Sequence, residues 1–222
     1  MSDAAKRAAG AAAASLVRDG MRLGLGSGTT MGFVIAAIAA RLRNEQLRIT
    51  AVATSNATAA LARAAGIPLG ALDETPLDLA IDGADEVERG TRHLIKGRGG
   101  ALLREKIVAQ AARRLVIVAD ARKLVARLGD IAPLPVEVDA FGQAFVAHRI
   151  AALRGRPVPR PGRTDGGHVI LDCAGFAPIR DPFTLDRTLR SIAGVIATGL
   201  FLMPVETVLI GYDDGTMREI GA

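Results

Sequence analysis

The strongest constraint on this chain is an alternation of short, wholly apolar runs with longer segments of helical period. "MRLGLGS" precedes "TTMGFVIAAIAARLRNE", "ITAVATS" precedes "NATAALARAAG", and "LDLAIDG" and "RHLIKGRGG" precede "ALLREKIVAQAARR" and "LVIVAD". Strands that are apolar on both faces must be covered on both faces, and strands separated by helices are joined in parallel. The pattern predicts an α/β fold over residues 1–130, a Rossmann-like, mostly parallel sheet with helices on both faces. Ligands of such sheets bind beyond the carboxyl ends of the strands, so the loops after "LGLG", "LAID", "LIKG" and "IVAD" should converge on one crevice.

A different order begins at "APLPVEV". Strand 134–139, helix 141–154, strand 156–160, a "TDGG" turn at 164–167, strand 168–173, helix 184–192 and strand 195–202 read βαββαβ. That is a smaller, ferredoxin-like α+β domain over residues 131–204. The last stretch, "ETVLIGYDDGTMREI", reads as a hairpin around Asp214 and Gly215 that returns to the first sheet, so residues 205–222 join residues 1–130. Prolines in "RGRPVPRPGR" suit an edge strand.

With 50% hydrophobic residues in 222, the chain can bury a full core. A net charge of +5 favours a phosphorylated or nucleic partner, but aromatic residues are only 3% and tryptophan is absent, which removes the stacking platforms of nucleic-acid binders. The single cysteine, Cys173, forms no internal disulfide and has no metal-ligand spacing with His93, His148 or His168. A reducing compartment without structural zinc follows. The alanine-rich start, "MSDAAKRAAGAAAASLVRDG", reads as a first helix ended by Gly20 and not as a signal peptide. No segment approaches the ~18 apolar residues of a bilayer span, so the cytoplasm is the expected compartment and no membrane partner is expected.

Four stretches could carry chemistry. In "LGLGSGTTMGF" a glycine-rich turn links strand to helix, where backbone N–H groups, the hydroxyls of Ser27, Thr29 and Thr30 and a helix N-terminus would suit a phosphate; Thr29 or Thr30 could equally be an N-cap. "LAIDGADEVE" puts Asp82 and Asp85 on one tight turn, able to bind sugar hydroxyls, hold a lysine or raise each other's pKa, with a metal site as competitor; Glu86 and Glu88 should point to solvent. In "LIKGRGGALLREK" Lys96 ends a strand, Gly97, Gly99 and Gly100 form a loop able to bring N–H groups to an oxyanion, and Glu105 falls among Ala101, Leu102, Val108 and Ala109 on an apolar helix face. Burial would push that carboxyl toward neutrality, as a general base requires; a structural buried ion pair explains the position as well. "VADARKLV" adds Asp120, Arg122 and Lys123, whose simplest reading is a solvated loop.

"GLGSGTT", "IDGADEVE", "IKGRGGALLREKIVA" and "VADARKLV", in this order and spacing, closely resemble type A ribose-5-phosphate isomerase, and "PLPVEV", "VILDC" and "GLF" extend the resemblance nearly end to end. The resemblance implies interconversion of ribose 5-phosphate and ribulose 5-phosphate through an enediolate in the non-oxidative pentose phosphate pathway, without metal or organic cofactor. It makes Glu105 the base and Lys96 the cation that stabilises the enediolate together with the Gly97–Gly99 loop, Arg98 included. Asp82 and Asp85, with Gly83 and Ala84 between them, would bind hydroxyls and assist ring opening. Ser27, Gly28, Thr29 and Thr30 would hold the phosphate side, Lys123 would touch substrate, and Lys6 would assist. The resemblance also implies a homodimer or homotetramer, assembled through the smaller domain. Arg98 stands where the family has glycine, and "TDGGH" replaces the expected "TDNGN".

Two rivals are a related enzyme, such as a sugar-phosphate deaminase or a different pentose-phosphate isomerase, and a sugar-phosphate-sensing regulatory domain. None of the three histidines lies in a motif loop, as amine chemistry would ask, and the first 20 residues are too short for the DNA-binding helix-turn-helix of a sensor.

Overall fold

The computed structural model describes residues 2–221. In chain order the elements are α1 (Asp3–Ser15), β1 (Arg22–Leu25), α2 (Thr29–Glu45), β2 (Thr50–Ala53), α3 (Asn56–Ala64), β3 (Leu79–Gly83), β4 (Glu86–Glu88), β5 (Leu94–Ile95) and α4 (Leu102–Ala111). There follow β6 (Leu115–Asp120), β7 (Leu124–Val125), β8 (Leu134–Val138), α5 (Gln143–Ala152), β9 (Arg156–Pro159), β10 (Val169–Ala174) and α6 (Pro182–Arg190). The chain closes with β11 (Val195–Thr198), β12 (Leu200–Phe201), β13 (Thr207–Gly211) and β14 (Met217–Ile220). One unit takes the residues up to Gly83, Arg104–Arg122 and those from Pro204 on; the other takes Ala84–Leu103 and Lys123–Met203.

The first unit is built on a six-stranded sheet of order β14-β13-β6-β3-β1-β2. Its strands run parallel except at the β13–β14 hairpin, so the terminal stretch returns beside β6 as its alternation predicts. Successive strand residues face opposite sides. Leu23, Leu25, Leu79 and Ile81 turn to one side and join Val34 and Ile38 of α2 in the main core. On the other side Gly24 lies beneath α4, where a Cβ would overlap the Val108 side chain. The alanine-rich α1 buries Ala5, Ala9, Gly10, Ala13 and Ala14, and these small residues bring its backbone close to α2. This helix ends at Ser15, capped by Leu16; Gly20 comes later, in a turn at φ +80°.

The second unit holds an antiparallel sheet of order β11-β8-β10-β9, the strand order of a ferredoxin-like βαββαβ motif. Val146 and Ile150 of α5 and Leu189 of α6 close its core over Val136, Val138 and Leu171. The proline-bearing β9 lies at the edge, where missing N–H donors do no harm.

Two expectations need correction. The strand expected at 195–202 breaks at Gly199: β11 stays in the antiparallel sheet and β12 pairs with β5 in a separate small sheet, β12-β5-β4-β7. Gly199 donates to the Pro135 carbonyl at 2.7 Å and accepts from the Lys96 amide at 2.9 Å, a crowding that only a residue without Cβ tolerates. The "LIKG" strand, β5, likewise lies outside the parallel sheet. A tight turn, closed by bonds between Glu88 and His93 and between Arg92 and Glu88, folds β5 back antiparallel on β4 before any helix can form.

Candidate active site

In the first unit the glycine-rich turn and the acidic strand end meet. Asp82, the last residue but one of β3, has 4% exposure, and its Oδ1 accepts from the backbone N–H groups of Ser27 at 3.1 Å and Gly83 at 2.7 Å. Gly26 must be glycine here, because a Cβ would overlap the Asp82 carboxylate. Neither Thr29 nor Thr30 is the cap of α2: they are its first two residues, and Gly28, at φ +104°, stands at the cap position without a side-chain bond. Gly28 and Thr29 are exposed and Thr30 is half-buried, so the positive end of α2 opens to solvent beside small groups, a setting that suits an anion.

The Ser27 hydroxyl is hydrogen-bonded within the turn. Its hydroxyl donates to Ser55 Oγ at 2.8 Å, Ser55 donates to Thr58 Oγ1 at 3.0 Å, and Thr58 donates to the Gly26 carbonyl at 2.9 Å. A hydroxyl has one proton, so at the 2.8 Å contact with Thr54 it is Thr54 that donates to Ser27. These bonds brace the turn from inside. Ser55 also caps α3, as "TSNAT" suggests.

Glu105 sits on α4 with 4% exposure, and Ala101, Leu102, Val108 and Ala109 around it are buried. The helix connects parallel β3 to β6 and therefore runs back along the sheet. With Val108 over Gly24, Glu105 lies one turn nearer the carboxyl edge, on the face that Asp82 shares with Gly24 and Ala80. Lys6 approaches Asp3 at 3.6 Å and lies over the Phe33 ring at 5.6 Å.

In the second unit Lys96 is 4% exposed, its ammonium 5.4 Å from the centre of the Phe201 ring. A cation held over an aromatic face is stabilised while its hydration is stripped. The contact of Phe201 with Lys96 could not be read from the sequence, since "GLF" carries no charge or spacing signal. Asp85 Oδ2 accepts from the Arg98 amide at 2.9 Å, which ties the acidic turn to the glycine loop. Gly97, at φ +120°, has Leu102 and Pro135 close by, with a Cβ falling 2.8 Å from Leu102 Cδ2. Of the loop amides counted on for an oxyanion, those of Arg98 and Gly100 are already donated, the latter to the Gly97 carbonyl at 3.0 Å. The Arg98 side chain is exposed, and Lys123 is half-buried.

Glu86 and Glu88 do not point to solvent: they are 0% and 3% exposed. Glu86 accepts from the amides of Gly129 and Ile131 at 2.6 Å and of Ala132 at 2.7 Å. Glu88 accepts from the Thr91 hydroxyl at 2.6 Å and lies 3.5 Å from Arg127. Both organise loops. Among the described residues no group of His, Cys, Asp and Glu is gathered as a metal-ion site, and no helix is long and apolar enough to cross a membrane.

The first unit, a Rossmann-like sheet with a helix end that no side chain caps and a buried carboxylate on the helix before β6, is of the class of α/β proteins whose ligands bind beyond the carboxyl ends of the strands. Comparison with known proteins narrows the class. The profile of the family "Ribose 5-phosphate isomerase A (phosphoriboisomerase A)" matches residues 50–215. Ribose-5-phosphate isomerase A of Thermomicrobium roseum is 52% identical over 218 residues, 95% of this chain and 91% of that protein. The structure of ribose 5-phosphate isomerase A from Methanocaldococcus jannaschii superposes with a TM-score of 0.92 at 38% identity, covering 98% of both chains. A D-ribose-5-phosphate isomerase in complex with phospho-erythronic acid superposes with a TM-score of 0.92 at 32% identity, covering 98% of this chain and 97% of that one. The chain belongs to the ribose 5-phosphate isomerase A family.

Proposed function

We propose that Glu105 is the base with which this chain, an aldose–ketose isomerase of ribose 5-phosphate and ribulose 5-phosphate, moves a proton between C1 and C2. The observation that carries the reading is a carboxylate only 4% exposed on an apolar helix face, at the position where the family resemblance puts the base. The two sugars are isomers, so the reaction needs no external oxidant. Glu105 takes the C2 proton of the open aldehyde, an enediolate forms, and the proton returns to C1 while the O2 proton passes to O1. Negative charge grows on oxygen in this intermediate, and Lys96 with the amides of the Gly97–Gly99 loop other than that of Arg98, which Asp85 holds, would stabilise it. Asp82 and Asp85 would bind hydroxyls and assist ring opening, Gly83 and Ala84 lining the same turn. Gly28, Thr29 and Thr30 would receive the phosphate at the α2 N-terminus, and Lys123 would contact substrate. Ser27 would act by bracing that turn.

The complex of a related isomerase with phospho-erythronic acid supports a substrate of this size and charge. The reading puts the chain in the non-oxidative pentose phosphate pathway and in the cytoplasm, with which a buried free Cys173 agrees. It takes the chain as a homodimer or homotetramer joined through the ferredoxin-like unit. Phe141 is fully exposed there and Phe145, Val158 and Phe183 are each at least half exposed, apolar side chains that a second copy would cover.

Conversion of ribose 5-phosphate by wild type and by Glu105→Gln, with a metal chelator present, tests the reading. Chelator-resistant turnover in wild type and a loss of at least about a thousandfold in the variant are expected for removal of the catalytic base. A variant with wild-type turnover would remove Glu105 from the role.

A further inference from the structure

Arg160 lies just beyond the edge strand β9, in the proline-flecked stretch whose residues carry no catalytic signal. Its Nε and Nη2 donate to the two oxygens of Asp172 on β10, at 2.9 and 2.5 Å. Its Nη1 donates to the carbonyls of Gly97 at 2.8 Å and of Arg98 at 3.1 Å. The guanidinium is a rigid fork, so a bidentate hold on Asp172 fixes where Nη1 points. Side-chain exposures of 23% for Arg160 and 26% for Asp172 keep the pair partly out of water.

The consequence follows from peptide geometry. The 97–98 and 98–99 peptides are trans, so each N–H points opposite to its own carbonyl. Drawing both carbonyls to one guanidinium nitrogen sends the N–H groups of Arg98 and Gly99 away from Arg160. The first is found on Asp85, 2.9 Å from Oδ2. The second is aimed by the same device. The 97–98 peptide is held as well by Asp85 and by the Gly100 amide on the Gly97 carbonyl, so it is the 98–99 peptide plane that could rotate without the guanidinium, since glycines at 99 and 100 impose little restraint of their own.

We infer that Arg160 is a positioning residue of the isomerase reaction: held by Asp172, it sets the peptide planes of the Gly97–Gly99 loop so that the Gly99 N–H faces the developing enediolate oxygen. The inference rests on the reading of that loop as part of the active site. Arg160 touches no reacting atom. A lysine in its place offers one nitrogen and cannot bond both carbonyls and both carboxylate oxygens.

The test compares Arg160→Lys, Arg160→Ala and Asp172→Asn with wild type, in steady-state turnover and in thermal melting. For Arg160→Lys the expected result is a kcat about ten- to a hundredfold lower, KM within about threefold, and wild-type melting, as for misplacement of a stabilising group. Asp172→Asn should shift kcat in the same direction by less. Millimolar guanidinium should restore part of the Arg160→Ala turnover where methylammonium does not, and the amide resonances of Arg98 and Gly99 should move in Arg160→Lys. A folded Arg160→Ala enzyme with wild-type kcat, or a loss that tracks melting and ignores guanidinium, would overturn the inference. Glu105→Gln, with Arg160 intact, separates the two failures. If it keeps its turnover, the active-site reading falls and takes the inference with it; if it is inactive while folded Arg160→Ala is fully active, the role of Arg160 alone falls.

Discussion

The Asp82 carboxylate occupies the space that a Cβ on Gly26 would need, and from there it holds the amides of Ser27 and Gly83. The glycine just after β1 and the aspartate near the end of β3 are therefore one device. Gly26→Ala must displace a buried, hydrogen-bonded carboxylate, an overpacking that destabilises by about 1–3 kcal/mol. It should also lower kcat/KM at least about tenfold if the displaced group belongs to the proposed substrate site. Urea unfolding together with steady-state kinetics checks this; wild-type kcat/KM in the variant would separate Asp82 from the site.

Glu86 gathers three backbone amides of the 129–132 loop and is fully buried. Glu86→Ala leaves these donors without their acceptor, a loss on the order of 3 kcal/mol. Chemical denaturation should record it, with local proteolysis in the 129–132 segment; a change below about 0.5 kcal/mol, the scale of an ordinary surface substitution, would contradict the anchoring role.

Arg114 and Glu206 make a two-pronged pair at 2.7 Å for each bond, near the starts of β6 and β13. The bond from Arg114 holds the Glu206 carboxyl below its ordinary value of 4.5. A depressed folded-state pKa adds stability above the unfolded value and loses it as pH falls through the folded one. The pair is partly solvated, so the effect is modest. Glu206→Gln should be less stable than wild type at pH 7, and the difference should shrink as pH drops below 4.5. Melting temperatures across pH 3–7, on a scale of a few degrees, would reveal a pH-independent difference if the pairing contributed nothing.

Burial pushes the Cys173 thiol up to about 12, and its Sγ lies 3.4 Å from the Leu171 carbonyl. At pH 8 the thiolate fraction is then roughly one in ten thousand, and the thiolate is the reactive form. Native protein should resist iodoacetamide over hours and react at once in denaturant. Rapid labelling of the native state would place Cys173 at the surface.

The burial of Glu105 and the start of the helix after the glycine turn could be read from the chain because their signals are local. Glu105 is buried where its i±3 and i±4 neighbours are apolar, and the helix after the glycine turn begins at Thr29. Glu86 and Glu88 were legible only as charges: their amide and arginine partners come from residues 125–132, and nothing in "DEVE" announces them. Ser27 could be read as a ligand hydroxyl until Ser55 and Thr58 closed around it. Arg160 reaches Gly97 across 63 positions of sequence, beyond the range of any motif.

Periodicity by itself determined the parallel sheet, the βαββαβ order and the returning hairpin, because strand and helix repeats express which faces must leave water. Residue types in fixed local spacing determined the candidate base, the acidic turn and the glycine loop. Only the tertiary structure decided that β5 leaves the main sheet, that the strand after α6 breaks at Gly199, and which polar groups are already paired. Those outcomes depend on distances between segments remote in sequence. A carboxylate that meets three amides and one that meets water carry the same letter in the chain; what differs is what the fold brings within about 3 Å of it.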